Sequence, residues 1–188
     1  MDFFTDVTKS EARNKGFNGS DFWGFDVGWN QKTVAGGRYH NGNTVYSKEF
    51  QDKYIRMGGA EQSTGYIHPI RNHDLYFSDI GAYSVFQKND SSMNWTEIPC
   101  AKYPNESYYP MEFSKMVWSP VCYSTVYLGE KNTLWMSQNN AASFTALFSL
   151  PDADSWVEDL EISRSNPEVI YFSERNNRRG DGSIWKSE

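Results

Sequence analysis

Cysteine, histidine and long apolar runs are scarce in this chain. Only two cysteines and three histidines occur among its 188 residues. The cysteines do not form a CxxC pair, and a zinc site at His68 and His73 would need a third ligand. No apolar run approaches the roughly 20 residues of a transmembrane helix. We therefore expect no metal, no cofactor and no insertion into a membrane. The sequence leaves open whether Cys100 and Cys122 form a disulfide or are two separate buried thiols.

Positive charge is scarce as well. Eighteen Lys and Arg residues stand against 24 Asp and Glu, which gives a formal net charge of −6. This balance disfavours nucleic acids and anionic membrane surfaces as partners, because both attract basic proteins. The first four residues lack the basic start and apolar stretch of a signal peptide. Four N-x-Ser/Thr sequons are compatible with secretion, at Asn18, Asn89, Asn94 and Asn105.

Aromatic residues are abundant, at 16% of the chain. They lie in short apolar segments separated by Gly, Asn, Asp and Ser, which predicts β-strands and almost no helix. One strand pattern occurs four times, and its copies end at Lys48, Lys88, Ser137 and Ser187, which are 40, 49 and 50 residues apart. A repeat of about 40–50 residues built from short strands is typical of the blades of a β-propeller.

The repeats predict an all-β chain, folded as one domain over residues 1–188, with blades of four antiparallel strands. The blades are expected at residues 21–58, 65–99, 112–150 and 156–188. Phe3-Phe4-Thr5-Asp6-Val7 is similar to the fourth strand Asn94-Trp95-Thr96-Glu97-Ile98, so we expect residues 1–10 to complete the last blade. Four blades are few for a propeller. The chain is alternatively a piece of a longer array, a natural half-ring, or half of an eight-bladed dimer.

Two turns carry the most specific resemblance. In the first, a hydroxyl, a carboxamide, a small residue and an aromatic occupy positions 1, 3, 5 and 8, as Ser137, Asn139, Ala141 and Phe144. In the second, the same positions hold Lys88, Asp90, Ser92 and Trp95. Both turns resemble the Asp-box, S-x-D-x-G-x-x-W, of the bacterial-neuraminidase-repeat propellers, which include sialidase-like, sortilin-like and xyloglucanase-like proteins. We interpret these residues as turn-building, because Asp and Asn side chains bond local backbone N–H groups.

The resemblance implies an extracellular, periplasmic or cell-surface module that binds a glycan or a protein on one face. Aromatic rings stack on sugars, and loops on a propeller face contact ligands. The candidate ligand-binding residues are Trp23, Trp29, His68, Arg71 and His73. Trp118 and Trp156 could also stack on a sugar, although packing in the core is the more common role of such a tryptophan.

Nothing in the sequence requires catalysis, and we favour a non-catalytic module. The alternative implied by the resemblance is part of a xyloglucanase-like or sialidase-like glycoside hydrolase, which needs two carboxylates beside the sugar bond. Weak candidates are Asp26, Asp79 and Asp159, although a structural or solvated position on a strand or its turn is the more common role of such residues. The Phe/Tyr-Arg-Ile-Pro motif of sialidases is missing, which disfavours that activity. A further alternative is a repeat scaffold for assembly, either with a second copy or with the remaining blades of a longer chain.

Overall fold

β-Strands account for most of the chain that the computed structural model describes. The described residues are 22–29, 32–38, 42–48, 53–58, 65–71, 73–79, 82–88, 95–99 and 115–187. Within them no helix has the length and hydropathy needed to cross a membrane.

The strands form four sheets in chain order. Sheet 1 contains β1 (Phe22–Val27), β2 (Thr33–Arg38), β3 (Gly42–Ser47) and β4 (Lys53–Gly58). Sheet 2 contains β5 (Gly65–Ile67), β6 (Asp74–Asp79), β7 (Ala82–Lys88) and β8 (Trp95–Pro99). Sheet 3 contains β9 (Val117–Trp118), β10 (Val126–Glu130), β11 (Thr133–Ser137) and β12 (Thr145–Ser149). Sheet 4 contains β13 (Ser155–Ile162), β14 (Ile170–Asn176) and β15 (Gly182–Lys186).

Within each sheet, strands that are consecutive in the chain pair antiparallel. The predicted fold class, all-β with four-stranded antiparallel sheets, is therefore confirmed. Sheet 4 has three strands among the described residues. Its expected fourth strand, residues 1–10, lies outside the described part of the chain.

The sheets stack face to face, and three apolar clusters fill the spaces between them. Alternation along a strand sends successive side chains to opposite faces, so each inner sheet contributes to two clusters. Between sheets 1 and 2 the buried residues are Ala35, Val45, Met57, Ile67, Leu75 and Phe77. Between sheets 2 and 3 they are Tyr76, Met116, Val126, Leu128, Ala141 and Phe144. Between sheets 3 and 4 they are Leu134, Leu150, Val157, Leu160, Ile162, Ile170 and Phe172.

Sheets 3 and 4 approach each other closely at a glycine. A Cβ atom on Gly129 would lie 2.4 Å from Cγ1 of Val157 and 2.9 Å from its carbonyl oxygen. Real Cβ atoms do not come this close to backbone, so only glycine allows β10 to pack directly on β13.

Side chains build the turn between β11 and β12. Ser137 Oγ accepts the N–H of Ala141 at 3.0 Å and donates to Asn139 Oδ1 at 2.8 Å. The same Oδ1 accepts the N–H of Ser143 at 2.9 Å. Ala141 has a positive φ of 61°, and Phe144 is 2% exposed between sheets 2 and 3. The hydrogen bonds thus stay within the turn, its small residue Ala141 has a positive φ, and its aromatic residue is buried between two sheets.

Some residues of the sequence predictions are described only in their backbone, and others lie outside the described part of the chain. Lys88 ends β7 and Trp95 begins β8, but their side chains are not described. Asp90, Ser92, Cys100 and the four sequon asparagines lie outside the described residues.

Cys122 is neither in a disulfide nor buried. Its thiol is free and exposed, and its sulfur lies 3.2 Å from Ser124 Oγ. The expectation of a buried thiol is therefore wrong for Cys122, because the turn that carries it lies on the surface between β9 and β10.

Candidate functional site

The first strands of all four sheets border a single cavity of about 820 Å³. β1 contributes Phe25 and Asp26, β5 contributes Tyr66, β9 contributes Trp118, and β13 contributes Glu161. Each of these strands is the first of its sheet along the chain and lies at an edge of that sheet. The cavity is thus the place where the same edge of every sheet meets the others.

Aromatic rings line much of this cavity. Trp29 is 67% exposed, and its ring meets that of Tyr123 edge-on with centroids 6.0 Å apart. Tyr66 and Trp118 form a second, tilted pair at 6.2 Å. Exposed aromatic surface beside polar groups is typical of ligand sites, and it suits the flat apolar faces of sugar rings.

Asp26 links two sheets across the cavity wall. Its Oδ2 accepts the N–H of Ile67 in β5 at 2.9 Å, and its Oδ1 accepts the N–H of Val27 at 2.8 Å. Burial raises the pKa of Asp26 above its ordinary value of 3.8, although the two N–H groups act in the opposite direction. This carboxyl group is therefore protonated more readily than a free aspartate.

Glu161 occupies in sheet 4 the position that Asp26 occupies in sheet 1. In each sheet the residue two places later, Ser163 or Gly28, donates its backbone N–H to the start of the second strand. The two carboxylates thus share a register position on the first strands of the first and last sheets, and both line the cavity.

Lys115 neutralises part of the negative charge of Asp159 and Glu161. Its Nζ donates to Glu161 Oε1 and lies 3.4 Å from Asp159 Oδ1. Partial burial disfavours its charge, but the hydrogen bond to Glu161 and the charge of Asp159 outweigh this and raise the pKa of Lys115. One ammonium is thus held by two carboxylates, and Glu161 lines the cavity together with Lys115.

The predicted site residues divide into several groups. Asp26 and Trp29 both line the cavity. Asp159 lies on the surface of sheet 4, with its side chain 57% exposed. Trp23 lies in β1 and Asp79 ends β6, but the side chains of both are outside the described structure.

His68 is buried, whereas Arg71 and His73 in the same loop are exposed. The His68 ring is 1% exposed, and its Nε2 lies 3.0 Å from the carbonyl oxygen of Tyr123 and 3.2 Å from Asn140 Oδ1. Its Nδ1 accepts the N–H of Arg71 at 3.1 Å. Arg71 and His73 are exposed. His68 therefore ties the loop after β5 to the turns of sheet 3.

Sequence reasoning missed several residues that line the cavity, among them Tyr66, Lys115, Tyr123, Glu161 and Arg164. A register alignment of the first strands would have matched Glu161 with Asp26. Tyr66 lies inside the short strand β5, and Lys115, Tyr123 and Arg164 precede or follow a strand. Nothing local distinguishes them from core or surface residues.

Comparisons with known proteins identify the fold. No protein-family model matches the chain, and no curated protein sequence matches it. The GH74 xyloglucanase from Xanthomonas campestris aligns with a TM-score of 0.64 and 13% identity, over 90% of this chain and 29% of that one. An ancestral GH74 enzyme aligns with a TM-score of 0.64 and 14% identity, over 88% and 24%. The β-propeller domain of Cps50 (Swd1) from Myceliophteria thermophila aligns with a TM-score of 0.57 and 8% identity, over 82% and 52%.

The chain has a β-propeller fold. The four sheets are its blades, and the cavity lies between the innermost strands of this propeller. The chain spans between about a quarter and a half of the length of these matched structures. Because propellers carry many unrelated activities, a likeness at such low identity identifies the architecture and leaves the function to the site.

Proposed function

We propose that this propeller is a non-catalytic binding module that holds a glycan in the cavity between its innermost strands. The observation that carries the proposal is Trp29, a largely exposed indole at a cavity also lined by Tyr66, Trp118 and Tyr123. Leaving so large an apolar ring in water is unfavourable, and stacking on a sugar ring would bury it. Such a module belongs outside the cytoplasm, in line with the location that the Asp-box resemblance implies.

Polar groups around the rings supply the second half of carbohydrate recognition. Lys115 and Glu161 both line the cavity, and together they offer a donor and an acceptor to sugar hydroxyls. Arg164 lines it as well. Rings for the sugar faces and charged hydrogen-bonding groups for the hydroxyls favour a neutral glycan over a strongly charged ligand.

The first prediction concerns Trp29. We expect the chain to bind oligosaccharides of xyloglucan or β-glucan, and Trp29→Ala to weaken binding by about tenfold, since losing the burial of a large side chain costs about 1.5 kcal/mol. Isothermal titration calorimetry measures this. Trp156→Ala is the matched control, because Trp156 lies against Arg175, whose guanidinium carbon is 5.7 Å from the ring centroid. Equal affinities for the two variants, or no binding to any polysaccharide, would refute the proposal.

A second candidate function is glycoside hydrolysis, and Asp26 is the observation that favours it. A general acid must be protonated near its working pH, and burial raises the pKa of Asp26. Glu161 supplies a second carboxylate in the same cavity. In such a reaction Asp26 would donate its proton to the glycosidic oxygen, while Glu161 would act as nucleophile or activate a water molecule.

Release of reducing sugar from xyloglucan separates the two candidates. The binding proposal predicts no release by the natural chain. Hydrolysis that is lost in both Asp26→Asn and Glu161→Gln, but kept in the control Asp181→Asn, would instead establish the enzyme. Asp181 suits the control because it pairs with Arg179 on an exposed loop.

A further inference from the structure

Sheet 1 leaves one face exposed. Residues directly opposite one another on paired strands project from the same face, and the register aligns Val27, Val34, Tyr46 and Tyr54 across β1 to β4. The exposed fractions are 49% for Val27, 36% for Val34 and 69% for Tyr54. The other face of this sheet is buried against sheet 2. We call the exposed surface the leading face of sheet 1.

Sheet 4 also leaves one face exposed, and this face points away from sheet 3. The register places Glu161, Tyr171 and Lys186 in one row and Asp159 and Ile184 in the next. Tyr171 is 41% exposed and Ile184 is 83% exposed. The other face of this sheet is buried against sheet 3. We call the exposed surface the trailing face of sheet 4.

The three buried interfaces of the stack all have the same form. In each, the face that a sheet turns towards the end of the chain packs on the face that the following sheet turns towards the start. Of the two exposed faces, the leading face of sheet 1 is turned towards the start of the chain and the trailing face of sheet 4 towards its end. The leading face of a second copy can therefore cover the trailing face of the first in the way that successive blades already pack.

Chemistry and size both favour a second copy as the partner. The exposed apolar residues are Val27, Val34 and Tyr54 on the leading face, and Tyr171 and Ile184 on the trailing face. Covering such apolar surface favours association. The four blades cover about half of the solved propeller domain described above, so two copies supply about one such ring.

We propose that two copies of this chain join through these faces into a closed ring of eight blades. The leading face of each copy covers the trailing face of the other, so the contact occurs twice around a two-fold axis. A contact between unlike faces closes into a ring when the rotation allows it and otherwise continues as a filament. Eight blades lie within the usual range for a propeller.

Light scattering coupled to size-exclusion chromatography tests this. The natural chain should elute at twice the monomer mass. Tyr54→Lys on the leading face and Ile184→Lys on the trailing face should each give monomers. An equimolar mixture of the two variants should again contain dimers, because it offers one undamaged leading face and one undamaged trailing face. The second contact, between the two substituted faces, would bring two lysines together and would not form.

Several results would overturn the proposal. They are a natural chain that is monomeric at all concentrations, single variants that remain dimeric, a mixture that remains monomeric, and a polymer that grows with concentration. Circular dichroism shows whether each variant keeps its β-sheet signal. Val34→Lys and Tyr171→Lys form a second pair on the same two faces if either of the first variants fails to fold.

Discussion

Replacing Phe144 by alanine is expected to lower the free energy of unfolding by about 3–5 kcal/mol. Phe144 is 2% exposed and packs in the cluster that joins sheets 2 and 3, together with Tyr76 and Leu128. The substitution removes a whole ring from between two blades. Strands on both sides are fixed by their own hydrogen bonds, so the space cannot close and a cavity remains.

Urea unfolding measures this loss, and thermal unfolding should show it as a melting temperature lower by roughly 10 °C for a chain of this size. Leu147→Ala is the control. Leu147 lies on β12, three residues further along, and is 47% exposed, so its removal should cost less than about 1 kcal/mol. Similar losses for the two variants would mean that the aromatic of this turn does not hold the blades together.

The turn that ends at Phe144 illustrates what local sequence can predict. Ser137 and Asn139 act on backbone groups within a few residues, so their spacing alone specifies their hydrogen bonds. The sequence assigned the unusual backbone conformation to the small residue, Ala141. The structure has a positive φ at Asn140 as well, at 57°, which suits asparagine because it tolerates the left-handed region.

The strands were predictable for the same reason. Alternation at Val126, Tyr127 and Leu128 fixes which side chains face sheet 2 and which face sheet 4, and the hydrogen-bonded pairing of neighbouring strands follows. The repeat length then indicates blades. No long-range information is needed for any of these steps, and the fold class could therefore be derived from the sequence.

The cavity could not be derived in this way. Asp26 and Glu161 belong to the first and last sheets, and only the stacking of four blades brings their strands to one cavity. Asp159 and Glu161 are two residues apart and equally acidic. A two-residue shift of register decides which is equivalent to Asp26, and the backbone hydrogen bonds of the structure fix that register.

The loop of His68, Arg71 and His73 shows that a local sequence pattern can predict the wrong exposure for a side chain. Its composition indicates an exposed loop, and Arg71 and His73 are indeed exposed. His68 is covered because turns of sheet 3, distant in sequence, supply hydrogen-bonding partners for its ring. Burial of a loop residue depends on what packs over the loop, which its own sequence does not encode.

The second large effect is expected at His68. Its Nδ1 accepts the N–H groups of Ile70 at 3.3 Å and Arg71 at 3.1 Å, while its Nε2 faces two oxygens. This arrangement requires the neutral ring with its proton on Nε2. His68→Phe keeps a ring of similar size but leaves these buried groups without partners, so the free energy of unfolding should fall by about 2–4 kcal/mol. His73→Phe, at an exposed position, is the matched control.

The pH dependence distinguishes these hydrogen bonds from simple packing. Burial, together with the charge of Arg71, lowers the pKa of His68 below its ordinary value of 6.5. The unfolded chain therefore takes up this proton near pH 6.5, whereas the folded chain takes it up only at lower pH. Acid then favours the unfolded state, and the free energy of unfolding should decrease as the pH falls below about 6.5, by at most about 1.4 kcal/mol per pH unit.

Urea unfolding of both proteins between pH 7.5 and 5 provides the measurement. The stability difference between the natural chain and His68→Phe should be largest at neutral pH and shrink on acidification, because the variant has no proton to take up at this position. For His73→Phe the difference from the natural chain should stay small across the same range. A gap for His68→Phe that is constant with pH would show that the ring acts only by filling space, and that its neutral state is not what joins sheet 2 to sheet 3.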